Sequence, residues 1–195
     1  MSKQKEEKIT VPKFRVSFPQ VFEAKVGPTG GKPKYSITML WLKGTDLTQL
    51  KRIIQEAITA KFGAKVPSDL YVPLSDGDKK YNDNPELYSS YKGCVVATAK
   101  SIGKPGVIYP DMSKIIDPNE LYAGCYAHAT VTAYGWGPIV GKCGVSLGLQ
   151  NIQKLNDGER ISGKSDAEDD FEPISAPNNQ TCLDTPEFSG VQLDF

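Results

Sequence analysis

The sequence predicts a mainly β chain, a small antiparallel barrel with one long helix, followed by a disordered acidic C-terminal tail. Three observations carry that expectation. Five segments alternate apolar with polar residues between Gly- and Pro-rich turns, one segment alone repeats its apolar residues at helical spacing, and beyond residue 164 the composition turns acidic without a single basic residue. A chain of 195 residues with 39% hydrophobic content has room for one domain with a real core and some length to spare.

Residues 1–8 are charged and read as a flexible N-terminus. VPKFRVSF (11–18) sets Phe14, Val16 and Phe18 against Lys13, Arg15 and Ser17, the alternation of a half-buried strand with the three apolar residues inward. KVGPTGGKP (25–33) is a glycine-rich turn into KYSITMLWL (34–42), where Tyr35, Ile37, Met39 and Trp41 share a face. Thr45 or Asp46 caps a helix whose Leu47, Leu50, Ile53, Ile54, Ala57 and Ile58 fall on one stripe, and Gly63 ends it. From 64 to 92 the breakers Pro67, Pro73, Asp76-Gly77 and Asn84-Pro85 imply a long loop, with 76–92 as a mobile flap. GCVVATAKS (93–101), CYAHATVTAYGW (125–136) and KCGVSLGLQNIQ (142–153) are three more strands. Five strands and one helix fit the OB-fold version of a small barrel, which places that domain at 9–164 and the tail at 165–195.

The formal net charge of zero hides an asymmetry. Residues 1–164 hold all 23 Lys and Arg against 15 acids, a net +8, and 165–195 hold eight acids and no base, a net −8. A basic body points to a polyanionic partner, and a separate acidic end points to an interaction tail. No run of 18 apolar residues and no apolar signal segment occur, so neither a membrane span nor secretion is expected and the cytoplasm is the expected location. Cys94, Cys125, Cys143 and Cys182 form no C-x-x-C pair, and with His128 the only histidine a zinc site is poorly supplied, so the thiols read as free. GPTGGKP (27–33) lacks the P-loop spacing, and Asp76, Asp78 and Asp83 do not match a calcium loop. Without a nucleophile-elbow or H-E-x-x-H motif, no catalytic residue, cofactor or metal is expected.

Binding residues are more visible. On the 125–136 strand, Cys125, Ala127, Ala129, Val131 and Ala133 form a small apolar face suited to a tight barrel interior. The other face presents Tyr126, His128, Thr130, Thr132, Tyr134 and Trp136, where flat rings would stack on unpaired bases or would pack as a second small core under a neighbouring element. Lys13 and Arg15 on the first strand, and Lys25, Lys32 and Lys34 around the glycine-rich turn, would line a phosphate-following groove or simply solvate a surface. The 76–92 segment interleaves Tyr81, Tyr88 and Tyr91 with Lys79, Lys80 and Lys92, a mixture that suits a single strand. At the C-terminus, Asp194 and Phe195 put an acid and a ring beside the terminal carboxylate, suited either to a basic-rimmed pocket on a partner or to solubility alone.

LYAGCYAHATVTAYGW (121–136), GVSLGLQNIQKLNDGERISG (144–163) and ATAKSIGKPGVIYP (97–110) are similar to segments of the bacteriophage single-stranded DNA-binding proteins with an OB-fold, including a family long catalogued only as a domain of unknown function. The resemblance covers most of 9–164 and implies a non-enzymatic protein that binds single-stranded DNA in phage DNA replication, recombination or repair. The tail resembles those of phage replication proteins and bacterial single-stranded DNA-binding proteins, which recruit other replication enzymes. It departs from them where Asn178, Asn179 and Cys182 dilute the charge and only Asp194 stands beside the end. A strand-annealing mediator, a structural or adaptor β-barrel, and a homodimeric state all stay open at this point.

Overall fold

A computed structural model describes residues 7–27, 30–139 and 141–161. The described residues all lie within one compact unit, Met1–Gly163. The acidic tail with Cys182, Asp194 and Phe195 lies outside the described residues, as do residues 1–6.

In chain order the elements are β1 (Ile9–Thr10), β2 (Phe14–Lys25), β3 (Lys34–Leu42), α1 (Thr48–Phe62), β4 (Leu74–Asp76), α2 (Gly77–Asp83), β5 (Cys94–Ser101), β6 (Gly106–Ile108), β7 (Tyr126–Ile139) and β8 (Lys142–Asn156). β2 pairs with β3, β3 with β5, β5 with β8, β8 with β7, and β7 returns to β2, so five strands close into a ring. Every pairing in the ring is antiparallel except β5 with β8, joined in parallel at Ala99↔Leu147 and Lys100↔Gly148. An odd ring cannot alternate direction all the way round, so the expected antiparallel barrel must contain one parallel seam. Numbered along the chain, the ring runs first, second, third, fifth, fourth, an OB-fold-like closure.

The two-residue period settles which side chains fill the ring. Val16↔Met39, Met39↔Ala97, Ile37↔Ala99, Ala133↔Leu147 and Val131↔Leu149 all point inward. Phe14 meets Trp41 edge-on at 5.8 Å between centroids, and the Trp41 indole N–H donates to the Pro12 carbonyl at 3.1 Å. α1 packs against β7 and β8 through the expected stripe, Leu50, Ile53, Ile54, Ala57 and Ile58, each burial worth roughly 1.5–3 kcal/mol for the larger side chains. The N-cap is Leu47, with no side-chain cap, in place of the expected Thr45 or Asp46; Asp46 only accepts the Thr48 N–H at 2.9 Å in the turn that leads into the helix.

Residues 64–92 differ from the expected long loop. They hold β4, which pairs antiparallel with β5, and α2 and a 3-10 turn at Ser89–Tyr91, which contact β5. Asp76 starts α2 by accepting the Asp78 N–H at 3.0 Å. Asp78 in turn accepts the Gly93 N–H at 2.6 Å and pairs with Lys43. Those ties reach across the fold, so local periodicity carries no trace of them.

β7 and β8 run three residues past their expected ends, and β1 and β6 are short additional strands. After β8 the chain turns back over β2. Buried Lys154 pairs with Asp157 at 2.7 Å and Glu120 at 3.5 Å, the Ile161 N–H donates to Ala123, and the Ile161 side chain packs on Leu40, Tyr91, Cys94 and Val96.

Candidate nucleic-acid interface

Because inward and outward residues alternate, the outside of the ring can be read row by row. Ser36 stands opposite Lys100, Lys100 opposite Gly148, and Gly148 opposite Thr132, one continuous outward row from β3 to β7. The next row carries Ser17, Thr38 and Thr98, with the two threonine hydroxyls 3.0 Å apart. Gly148 keeps this surface low. A Cβ there would stand 2.7 Å from Thr132 Oγ1 and 3.6 Å from the Tyr134 ring. In an OB-fold, the face of the second and third barrel strands and the first-to-second and fourth-to-fifth loops take the ligand. Here those parts are β3, β5, the turn between Lys25 and Lys34, and the turn between Ile139 and Lys142.

One flank of the face is the β7–β8 hairpin. Trp136 on β7 lies opposite Gly144 on β8, and Tyr71 pairs with Gly144 from the other side. Since Gly144 has no side chain, the rings of Trp136 and Tyr71 meet over it at 6.2 Å between centroids. Trp136 is oriented by its indole N–H, which donates to Ser146 Oγ at 2.8 Å. Tyr134 lies one row along, and Tyr71 is 53% exposed.

The other flank is α2 and the 3-10 turn. Tyr91 is buried there, its hydroxyl 3.1 Å from Ser17 Oγ and its ring 4.8 Å from Tyr88. Burial raises its phenol pKa above the ordinary value, a rise the Ser17 hydrogen bond partly offsets. Tyr91 is therefore removed from the predicted base-stacking set: with Leu40, Cys94 and Val96 it forms a small outer core that attaches α2 to the barrel. Tyr88 is half-buried and Tyr81 half-buried beneath Lys92, whose ammonium lies 5.6 Å from its ring.

The remaining expected residues are scattered. Lys32 and Lys34 are exposed at the β2–β3 turn, beside the face. Lys13 is exposed with its ammonium 4.8 Å from the Tyr126 ring, and His128 has Nδ1 3.0 Å from the Val11 carbonyl. Tyr126 and His128 do point outward as the alternation requires. Yet Tyr126 lies eight strand positions from Tyr134, about 26 Å, so β7 carries two separate aromatic groups and not one stripe. Arg15 is half-buried and already engaged, donating to the Glu159 carbonyl at 2.8 Å and the Gly124 carbonyl at 3.4 Å. It holds the chain after β8 in place, which removes it from the free phosphate-binding cations expected of the first strand.

Three residues of the face were not singled out from sequence as binding residues: Tyr71, Lys100 and Phe18. Tyr71 sits in a Pro-bounded apolar stretch that reads as loop. Lys100 follows its strand alternation and could have been found by extending the outward set of 93–101. Phe18 was expected to point inward, but it adopts a left-handed φ of 42° ahead of Pro19, the register shifts between Ser17 and Gln20, and its ring turns outward to 39% exposure. Its edge meets Tyr88 at 6.3 Å.

These features define an OB-fold-like protein whose outward strand face is edged by rings and lysines. The chain matches, over residues 7–182, the family described as Enterobacter phage Enc34, ssDNA-binding protein, and belongs to it. Protein p50 of Acyrthosiphon pisum secondary endosymbiont phage 1 is 30% identical over 183 residues, covering 90% of this chain and 98% of that one. The single-stranded DNA-binding protein of bacteriophage Enc34, solved in complex with ssDNA, superposes with a TM-score of 0.64 at 30% identity, over 80% of this chain and 89% of its own. The T7 single-stranded DNA-binding protein gp2.5 shares the fold alone, with a TM-score of 0.58 at 12% identity over 87% of this chain and 99% of its own. No helix among the described residues is long and apolar enough to cross a membrane.

Proposed function

We propose that this chain binds single-stranded DNA without sequence preference and without catalysis, in phage DNA replication, recombination or repair in the host cytoplasm. The observation that carries the proposal is the outward row Ser36, Lys100, Gly148 and Thr132 across β3, β5, β8 and β7, with exposed Lys34 and Lys100 along the face and Tyr134, Trp136 and Tyr71 at its edge. Family membership and the Enc34 relative solved with ssDNA support it. Lysines pair with phosphates, which every sequence presents, and rings stack on base faces, which only an unpaired strand exposes. Asp194 and Phe195 are the proposed docking point for replication proteins.

The test is a titration with an oligonucleotide and with the matching duplex at several salt concentrations. Preference for the single strand is expected, with a log-log salt slope of about −0.7 per phosphate neutralised. Trp136→Ala should lose about 1–3 kcal/mol of that binding. Equal affinity for the two forms, or a flat salt response, refutes the proposal.

A further inference from the structure

At the α2 edge of the face stands a cation without a counter-ion. Lys80 is half-buried, and its ammonium lies 6.0 Å from the Tyr88 ring and 5.9 Å from the Tyr91 ring. Among the described residues it pairs with no carboxylate, whereas Lys43 is held by both Asp76 and Asp78. Burial accordingly lowers the Lys80 pKa below the ordinary lysine value. Beside it Phe18 is held outward by a left-handed backbone that a bulky residue rarely adopts, with its ring exposed and its edge against Tyr88. A partly desolvated cation is stabilised by a bound anion, and an exposed ring by a flat apolar surface laid on it. Both groups contact the same Tyr88 ring, and a nucleotide supplies both an anion and a flat surface.

We propose that Lys80, Phe18 and Tyr88 form a subsite for one unpaired nucleotide of a bound strand, the ammonium taking its phosphate and the Phe18 ring taking its base. The inference rests on the single-strand-binding reading and deepens it. The two halves of the subsite have different selectivities. Lys80 meets a phosphate that single and double strands both present, and Phe18 meets a base face that a duplex hides in its stack. Phe18 is thus a residue that selects single strands, at the opposite flank of the face from Trp136.

The experiment compares wild type, Lys80→Met, Lys80→Arg, Phe18→Ala and Phe18→Leu for binding to oligo(dT), to a fully abasic strand of equal length and to duplex, with melting temperature measured for each. Lys80→Met keeps the apolar stem and loses the charge. It should reduce the steepness of the salt slope by about 0.7 on oligo(dT) and on the abasic strand alike, with Lys80→Arg restoring it. Phe18→Ala and Phe18→Leu should weaken oligo(dT) binding by roughly 5- to 150-fold and leave abasic and duplex binding unchanged. If wild type prefers oligo(dT) but all four variants match it in affinity and salt slope, the subsite is refuted and the broader function stands. If Lys80→Arg fails to restore the slope, Lys80 acts through packing and the phosphate role is refuted. If wild type itself shows no preference for the single strand, both proposals fall together.

Discussion

Gly144→Ala is the perturbation that most directly joins the fold to the ligand face. A Cβ at position 144 would stand 2.7 Å from both the Cβ and the carbonyl oxygen of Tyr71 and 3.0 Å from Trp136 Cζ2. The Gly144 backbone is not in the left-handed region, so the whole cost is steric. Ordinary overpacking costs about 1–3 kcal/mol. Here the obstacle includes main chain: Tyr71 must retreat, and its two hydrogen bonds, from its N–H to Cys143 and from the Val145 N–H to its carbonyl, are lengthened or lost. At about 1 kcal/mol each, these bring the total to about 3–5 kcal/mol, a fall in melting midpoint of roughly 6–20 °C for a domain of this size. The same retreat parts the Tyr71 and Trp136 rings, so single-strand affinity falls as well. Thermal melting by circular dichroism and fluorescence-anisotropy titration measure the two effects. A variant melting within about 2 °C of wild type, with unchanged affinity, would refute the claim that the missing side chain at 144 is what allows the two rings to meet.

Tyr91→Phe should cost about 1–3 kcal/mol in urea unfolding, because buried Ser17 loses its partner, while leaving DNA affinity unchanged; a selective affinity loss would return Tyr91 to the binding surface. Asp78 has its carboxyl pKa lowered by the Gly93 N–H and then by Lys43, so its contribution to stability is fully present above the ordinary carboxylate range and lost as pH falls through the lowered native value. The melting temperature of Asp78→Ala should therefore lie below that of wild type at neutral pH, with the gap closing in acid; a gap independent of pH would refute this linkage. Deleting 165–195 removes the −8 that would compete with DNA for the +8 body, so single-strand binding should tighten at low salt and the gain should shrink at high salt. Removing Phe195 alone should leave DNA affinity nearly unchanged while weakening capture of a replication partner, and an untightened truncation at every salt would refute the competition.

Whatever depends on neighbours within a few positions was legible in the chain itself. The two-residue alternation of 34–42 and 125–136 assigns Ile37, Met39, Trp41, Ala129, Val131 and Ala133 to the interior, and the 3.6-residue stripe assigns Leu50 to Ile58 on α1, because strand and helix geometry convert sequence spacing into a face. The outward direction of Tyr134 and Trp136 follows from the same period, and the charge division near residue 164 is read from composition alone. What only the tertiary structure decided lies wherever two distant segments compete for the same surface. Nothing local distinguishes Tyr88, at the edge, from Tyr91, under it, since the difference is made by Ser17, Leu40 and Val96 arriving from β2, β3 and β5. Arg15 has the spacing of a phosphate ligand and is taken instead by the Gly124 and Glu159 carbonyls, more than a hundred residues away. Tyr71 becomes part of the face only because the gap at Gly144 falls beside it, and Phe18 turns outward only because its backbone enters the left-handed region before Pro19. Periodicity determines which way a side chain points; whether that direction leads to solvent, to a ligand or to another segment of the chain is set by long-range packing, which local spacing does not encode.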